Sequence, residues 1–142
     1  MNLDEAIEFA RRAHGPQTDK AGQPYMEHVL RVVDAVEAPE EKMAAALHDV
    51  LEDTTTTAED LAAAGCPAAV LDAVQVLTKR DGEEHEAAVR RAMENPIARA
   101  VKTADVTDNS DETRLALLAA SEAARLRTKY GPARRLLRID TT

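Results

Sequence analysis

The chain of 142 residues has almost no cysteine, very few aromatic residues and no long apolar run. A single cysteine, Cys66, excludes an internal disulfide framework and a zinc site built from several cysteines. Three aromatic residues, Phe9, Tyr25 and Tyr130, are too few for a platform on which successive nucleobases stack. No apolar stretch approaches the roughly 20 residues that a membrane-spanning helix needs. These absences argue against a disulfide scaffold, a nucleic-acid platform and a membrane protein.

Positive charge is also in short supply, since 18 Lys and Arg residues stand against 26 Asp and Glu residues, for a formal net charge of −8. Nucleic-acid grooves depend on cations that neutralise phosphates, so no nucleic-acid partner is expected. The first twelve residues carry acids where a signal peptide has a basic and then an apolar region. We therefore expect a soluble, cytoplasmic protein without a membrane partner. Its acidity raises the question of how it could hold a phosphorylated ligand.

Helical periodicity runs along nearly the whole chain, and Ala, Leu, Glu and Arg, which favour helices, dominate the composition. No segment alternates in the manner of a strand. The pattern predicts one all-α domain over residues 1–142, with about eight or nine helices. In this interpretation the third helix starts at Pro39 and runs through Asp53. A later helix, capped by Ser110, ends at Gly131-Pro132, where a last short helix starts.

Two predicted helices carry carboxylates near their C-terminal ends, where the helix dipole favours cations. Asp49 and Asp53 lie at the end of one helix, and Asp105 and Asp108 lie at the end of another. Asp49 and Asp53 are also like charges four residues apart, which is mildly destabilising. Two helix ends with the same unfavourable charge indicate that a bound cation neutralises both.

His28 completes a candidate metal site with these carboxylates. The short link around residues 37–39 predicts that two helices are antiparallel neighbours, which brings His28 beside His48 and Asp49. Asp105, on a later helix, would then complete a set of two imidazoles and two carboxylates, which suits manganese, iron or zinc. Adjacent residues of a helix diverge by about 100°, so His48 and Asp49 can share an ion only if it lies between their directions.

The four residues resemble the H…HD…D ligand pattern of HD-domain metal-dependent phosphohydrolases. Residues 14–28, with the pattern HxxQxxKxGxPYxxH, are similar to the N-terminal motif of the RelA/SpoT-type alarmone hydrolase domain. Residues 45–54 (AALHDVLEDT) are similar to the HD-x-x-ED motif of that family. Two later blocks, residues 77–79 and 101–109, also match in order, so the resemblance covers nearly the whole chain.

The resemblance implies a small stand-alone hydrolase, because the chain is too short to hold a synthetase domain as well. Its reaction would be hydrolysis of the 3′-pyrophosphate of guanosine tetra- or pentaphosphate. The resemblance implies Mn²⁺ as the cofactor and Glu52 and Asp53 as the pair that orients and activates the attacking water. The implied metal ligands are His28, His48, Asp49 and Asp105. The candidates for contact with the substrate are Lys20, Tyr25, Lys79, Arg80, Asp108 and Asn109.

The sequence departs from the family pattern at two positions. Asp19 stands where the family often has an arginine that packs on the purine, and Val106 follows Asp105 where an arginine is common. Two alternatives therefore stay open: a phosphohydrolase acting on another nucleotide or phosphate ester, and a catalytically silent nucleotide-binding domain. His14 is expected in a supporting or capping role, and His85 is expected to be exposed. The basic C-terminal end is compatible with a homo-oligomer contact or with a rim of cations beside a phosphate.

Overall fold

Ten α-helices joined by short loops form the part of the chain that the computed structural model describes, residues 1–139. Within that part there is no strand, only one isolated bridge between Thr18 and Pro24. None of the helices in residues 1–139 combines the length with the apolar character that a membrane span requires. The all-α prediction is confirmed. The helices are α1 (Leu3–His14), α2 (Tyr25–Ala35), α3 (Pro39–Leu47), α4 (Val50–Asp53), α5 (Ala58–Ala63), α6 (Ala68–Leu77), α7 (His85–Met93), α8 (Pro96–Asn109), α9 (Glu112–Leu115) and α10 (Ala120–Leu137).

Several helix ends follow directly from local sequence. The Asn2 side chain accepts a hydrogen bond from the backbone N–H of Glu5, and the Glu5 carboxylate accepts one from the Asn2 N–H, forming a capping box. Asn95 caps α8 by accepting from the N–H of Ala98. Pro39 opens α3 at its first position, where no intrahelical donor is lost.

The third predicted helix is interrupted, which corrects the expectation that it runs unbroken through Asp53. α3 ends at Leu47, and α4 begins at Val50 after a turn formed by His48 and Asp49. The Asp49 backbone, at φ −108° and ψ 0°, departs from helical geometry. The turn lets the side chains of His48 and Asp49 approach each other, whereas in an unbroken helix they would diverge by about 100°.

The predicted helix ends after Asn109 are also wrong. Ser110 is not the N-cap of the next helix but the C-cap of α8, and its hydroxyl donates to the Val106 carbonyl at 2.6 Å; Asp111 is the N-cap of α9. α10 continues through Pro132 to Leu137. One face of α10 stays buried in the core across the proline, which outweighs the hydrogen bond that proline cannot donate. The buried residues of that face are Leu126, Tyr130, Ala133 and Leu137.

Two hydrophobic cores lie on either side of a cavity. The larger core is built mainly from α1, α2, α3, α6 and the first turns of α8. The smaller core is built from α7, α9, α10 and the later part of α8. α8 belongs to both, because Val101 packs in the first core and Val106 in the second. The cavity between the cores, about 480 Å³ in volume, is called the ligand cavity below.

Candidate metal centre and ligand cavity

Four side chains from three parts of the fold converge next to the ligand cavity, and three of them line it. The Nε2 atom of His28 lies 3.0 Å from Oδ1 of Asp105, and Nε2 of His48 lies 3.5 Å from the same oxygen. His48 Nε2 is also 3.0 Å from Oδ2 of Asp49. One ligand atom from each of the four residues lies within 4.8 Å of the other three. We call these four residues the donor cluster.

Both histidines direct Nε2 toward the centre of the donor cluster, because Nδ1 is engaged elsewhere. His28 Nδ1 lies 2.6 Å from Oδ2 of Asp108, and His48 Nδ1 lies 2.6 Å from the carbonyl oxygen of Ala45. A carbonyl oxygen only accepts, so the His48 Nδ1–H is the donor and Nε2 keeps its lone pair in the neutral ring. Although Asp49 Oδ2 lies 3.0 Å from the buried His48 Nε2, the two atoms are not aligned for a hydrogen bond, and within residues 1–139 this nitrogen has no hydrogen-bond partner. A buried imidazole lone pair without a donor, next to two carboxylates, fits a metal ligand.

The two carboxylates of the donor cluster are held by hydrogen bonds from outside it. The Tyr25 hydroxyl donates to Oδ2 of Asp49, and the Asn109 amide donates to Oδ1 of Asp105 at 2.9 Å. Burial raises the pKa of Asp105, but Lys102 and the two histidine rings lower it by a larger amount, so its pKa lies well below the usual value. Asp105 is therefore ionised at neutral pH, as a metal ligand must be.

Asp108 lies behind the donor cluster and does not line the ligand cavity, contrary to the expectation that it contacts substrate. It accepts hydrogen bonds from Arg31 Nε at 2.7 Å and from Arg31 Nη2 at 3.2 Å, in addition to its contact with His28. A carboxylate on the far nitrogen of a ligating histidine fixes the ring orientation and its tautomer. The position of Asp108 suits that supporting role.

Glu52 and Asp53 lie on α4 beside the donor cluster, and both are exposed in the ligand cavity. Glu52 Oε1 accepts a hydrogen bond from the backbone N–H of Lys79 at 2.8 Å, which ties α4 to the loop after α6. Partial burial and the charges of Asp49 and Glu52 raise the pKa of Asp53 to about 6. The pair thus includes one carboxylate poised to take up a proton near neutral pH.

Some of the residues predicted to contact substrate line the ligand cavity, and others do not. Lys20, Tyr25, Lys79 and Asn109 line the ligand cavity, as do three residues of the donor cluster: His48, Asp49 and Asp105. Arg80 does not line it, because the loop turns this exposed residue outward. His14, for which a supporting or capping role is predicted, is buried, and its ring lies 4.8 Å from the Tyr25 ring.

Three further cations line the ligand cavity, Lys102, Lys129 and Arg114, and sequence reasoning missed the last of them. His85, expected to be exposed, is half-buried in the cavity wall with its ring edge against Tyr130 at 5.6 Å. Burial, together with the charges of Lys102 and Lys129, lowers the pKa of His85 to about 4. The signal for His85 was its spacing from Ala88 and Ala92, which marks the inward face of α7.

Comparison with known proteins gives a consistent picture, although no protein-family model matches the chain. The guanosine-3′,5′-bis(diphosphate) 3′-pyrophosphohydrolase of Aquifex aeolicus is 41% identical over 63 residues, 42% of this chain and 9% of that protein. The enzyme of that name from Vibrio cholerae is 38% identical over 100 residues, 64% of this chain and 14% of that protein. The chain therefore spans only a small part of the length of these relatives.

A solved structure extends the similarity to nearly the whole fold. It is that of a metazoan ortholog of SpoT that hydrolyses ppGpp, and it superposes with a TM-score of 0.75 at 24% sequence identity. The match covers 96% of this chain and 85% of the other. The structural similarity confirms the all-α fold, and the similarity to the curated relatives confirms the resemblance to RelA/SpoT-type hydrolases.

Proposed function

We propose that this chain is a metal-dependent phosphohydrolase that removes the 3′-pyrophosphate of guanosine tetra- or pentaphosphate. The observation that carries the proposal is the donor cluster next to a cavity that also holds Glu52 and Asp53. Its four donors match the divalent ions that nitrogen and oxygen ligands select, and we propose Mn²⁺. The relatives named above, which act on this nucleotide, support the choice of substrate.

The cations of the ligand cavity support a polyanionic ligand in spite of the net charge of −8. Four lysines line the cavity, and burial together with neighbouring cations lowers the pKa of Lys129. Lys102 already contacts Asp105 at 3.5 Å and Lys20 contacts Glu122 at 3.3 Å, so the positive charge that favours an anion is that around Lys129 and Lys79. The cavity lysines are Lys20, Lys79, Lys102 and Lys129.

The chemistry assigned to the chain's own residues follows from their positions. A divalent ion in the donor cluster would supply Lewis acidity and lower the pKa of water. Glu52 and Asp53 orient the attacking water and accept its proton. The water oxygen bonds to the phosphorus next to the ribose, the bond from that phosphorus to the 3′-oxygen breaks, and the 3′-oxygen gains a proton. Tyr25 and Asn109 hold Asp49 and Asp105 in position during this step.

A second candidate substrate, another nucleotide or phosphate ester, is favoured by one observation. Asp19, rather than a cation that could pack on a purine, lines the ligand cavity next to Lys20. The third candidate, a silent nucleotide-binding domain, is less well supported. Such a domain does not need Glu52 and Asp53 beside the donor cluster.

The test is incubation of the Mn²⁺-loaded protein with guanosine tetraphosphate, separation of the products by ion exchange, and measurement of pyrophosphate. We expect GDP and pyrophosphate in equal amounts. Hydrolysis of other nucleotides in a panel, but not of this one, would favour the second candidate. Binding without turnover of any nucleotide would favour the silent domain.

Three expectations from the sequence stay predictions: a single hydrolase domain over residues 1–142, a cytoplasmic location and a homo-oligomer. In the structure, part of the basic C-terminal end is engaged within the chain. Arg127 pairs with Glu112 at 2.8 Å, and Arg125 pairs with Glu122 at 2.6 Å.

A further inference from the structure

The loop between α1 and α2 is organised by Asp19, the acid that fits least well beside a phosphate. Asp19 Oδ1 accepts hydrogen bonds from the backbone N–H groups of Ala21 and Gln23, both at 2.9 Å. Its other oxygen, Oδ2, accepts from Nη2 of Arg114 at 3.3 Å. The net pKa of Asp19 is lowered, because these backbone and arginine hydrogen bonds outweigh the effect of burial. The negative charge of Asp19 is therefore neutralised by the positive charge of Arg114.

Arg114 lies on α9, which packs in the second core, and its side chain lines the ligand cavity. Asp19 lies in the loop between α1 and α2, which lines the same cavity. The Arg114 side chain is 26% exposed. Its Nε atom is buried without a hydrogen-bond partner in residues 1–139, and lies 3.7 Å from Oδ2 of Asp108, too far for a hydrogen bond. Asp108 is already neutralised by Arg31 and His28. Because Nε is buried beside Asp108, the donors that Arg114 can offer to a ligand in the cavity are those of its two terminal nitrogens, and the hydrogen bond to Asp19 uses one of them.

We propose that Arg114 is a ligand-binding residue that donates hydrogen bonds to phosphate oxygens of the nucleotide, and that Asp19 is the positioning residue that holds it there. A guanidinium presents a rigid fork of donors that matches phosphate geometry, and a carboxylate on one edge fixes its orientation. The proposal rests on the proposed function only in taking a phosphorylated nucleotide as the ligand. The proposal explains why an acid stands beside the phosphate site: Asp19 would repel a phosphate directly, but it positions the arginine that binds one.

The test uses the Mn²⁺-loaded full chain with guanosine tetraphosphate as the probe. Binding is measured by calorimetry in a Glu52→Gln background, so that the probe is not consumed, and KM and kcat are measured with Glu52 intact. We expect Arg114→Gln to raise Kd and KM about 10- to 100-fold, the usual range for a hydrogen bond between charged groups, with kcat changed less than about threefold. Asp19→Asn, which keeps an acceptor for the loop, should raise KM about three- to tenfold.

Two variants keep the result interpretable. Arg114→Lys keeps the charge and the pairing with Asp19 but loses the fork, so it should fold normally and still raise KM. Arg127→Gln removes an arginine from an exposed ion pair with Glu112 and should leave Kd and KM within about twofold.

The outcomes separate this inference from the proposed function. Unchanged Kd and KM in Arg114→Gln, with only a lower Tm, would make the residue a structural bridge and overturn the inference. Binding without hydrolysis in the protein with Glu52 intact would refute the proposed function, while the Kd comparison would still decide the role of Arg114. No binding of the probe at all would overturn both.

Discussion

Charged side chains around the ligand cavity fall into two groups according to whether a neighbour already neutralises them. Asp108 belongs to the first group, because Arg31 and His28 both contact its carboxylate. Glu52 belongs to the second, because its carboxylate is exposed in the cavity and, within residues 1–139, its hydrogen bond comes from a neutral backbone N–H. A charge left unpaired beside a set of metal donors is available for chemistry, and this is the physical ground for assigning Glu52 to catalysis.

Glu52→Gln tests that assignment with a side chain of the same shape. Glutamine can still accept the hydrogen bond from Lys79 but cannot accept a proton from water, so we expect kcat to fall about 10²- to 10⁴-fold. Mn²⁺ affinity, measured by calorimetry, should change little, since Glu52 is outside the donor cluster. Glu59→Gln, an exposed change on α5 away from the cavity, serves as the control and should retain full kcat. Activity that survives the Glu52 change would contradict the role.

His85 provides a prediction of stability against pH. Burial and the charges of Lys102 and Lys129 lower its pKa from 6.5 to about 4 in the folded protein. Between those values the unfolded chain binds more protons, so the stabilising contribution is complete above pH 6.5 and is lost as the pH falls toward 4. After discounting for its half-exposed position, we expect a loss of about 1 to 2 kcal/mol.

Urea unfolding at pH 7 and pH 4.5 measures this loss. His85→Gln cannot titrate, so it should lose less free energy of unfolding between the two pH values than the wild type does. The other titrating groups are common to both proteins and cancel in the comparison. An equal loss in the two proteins would mean that His85 titrates normally.

At the scale of whole helices, α8 and α10 decide how the cavity is enclosed. α8 presents Asp105 to the donor cluster while its two ends pack in different cores. α10 carries Lys129 to the cavity wall and keeps its buried face continuous across Pro132. A proline inside a helix lacks the N–H that would bond to the preceding turn, so this continuity has an energetic cost that the packing of the second core must offset.

Pro132→Ala should therefore stabilise the protein. Alanine restores the missing donor, and we expect the free energy of unfolding to rise by about 1 to 3 kcal/mol. Pro96→Ala is the matched control, because Pro96 stands at the start of α8 where no intrahelical donor is lost. Both changes relax the unfolded chain equally, so urea unfolding of the two variants isolates the helix effect. If Pro132→Ala is no more stable than Pro96→Ala, the proline carries no such cost.

Sequence reasoning succeeded where local signals decide the structure and failed where distant contacts do. The start of α3 at Pro39 depends on the local chemistry of proline, and it was predicted. The turn at His48 and Asp49 was missed, because residues 44–53 have good helix formers and the turn is held by the distant Tyr25. Arg114 was missed as a cavity residue for the same reason, since its place depends on how the second core packs.

At the scale of the whole molecule, the donor cluster concentrates buried charge beside the junction of the two cores. Burial lowers the pKa of His48, but Asp49 and Asp105 more than offset this and raise it well above the ordinary value. The buried carboxylates therefore favour a positive charge among them, and a divalent ion supplies one more completely than a proton does. Since ligands come from α2, the α3–α4 turn and α8, a bound ion would cross-link the fold.

Removal of the metal should therefore lower the stability of the whole chain. A ligand that binds only the folded state stabilises it by mass action, by about 2.7 kcal/mol at a free concentration of 100 times its Kd. We expect Mn²⁺ to raise Tm in thermal unfolding and EDTA to reverse the rise. His48→Gln should show no such rise, because an amide in its place offers no imidazole donor, whereas His85→Gln, outside the donor cluster, should retain it. An equal rise in His48→Gln and the wild type would place the stabilising ion elsewhere.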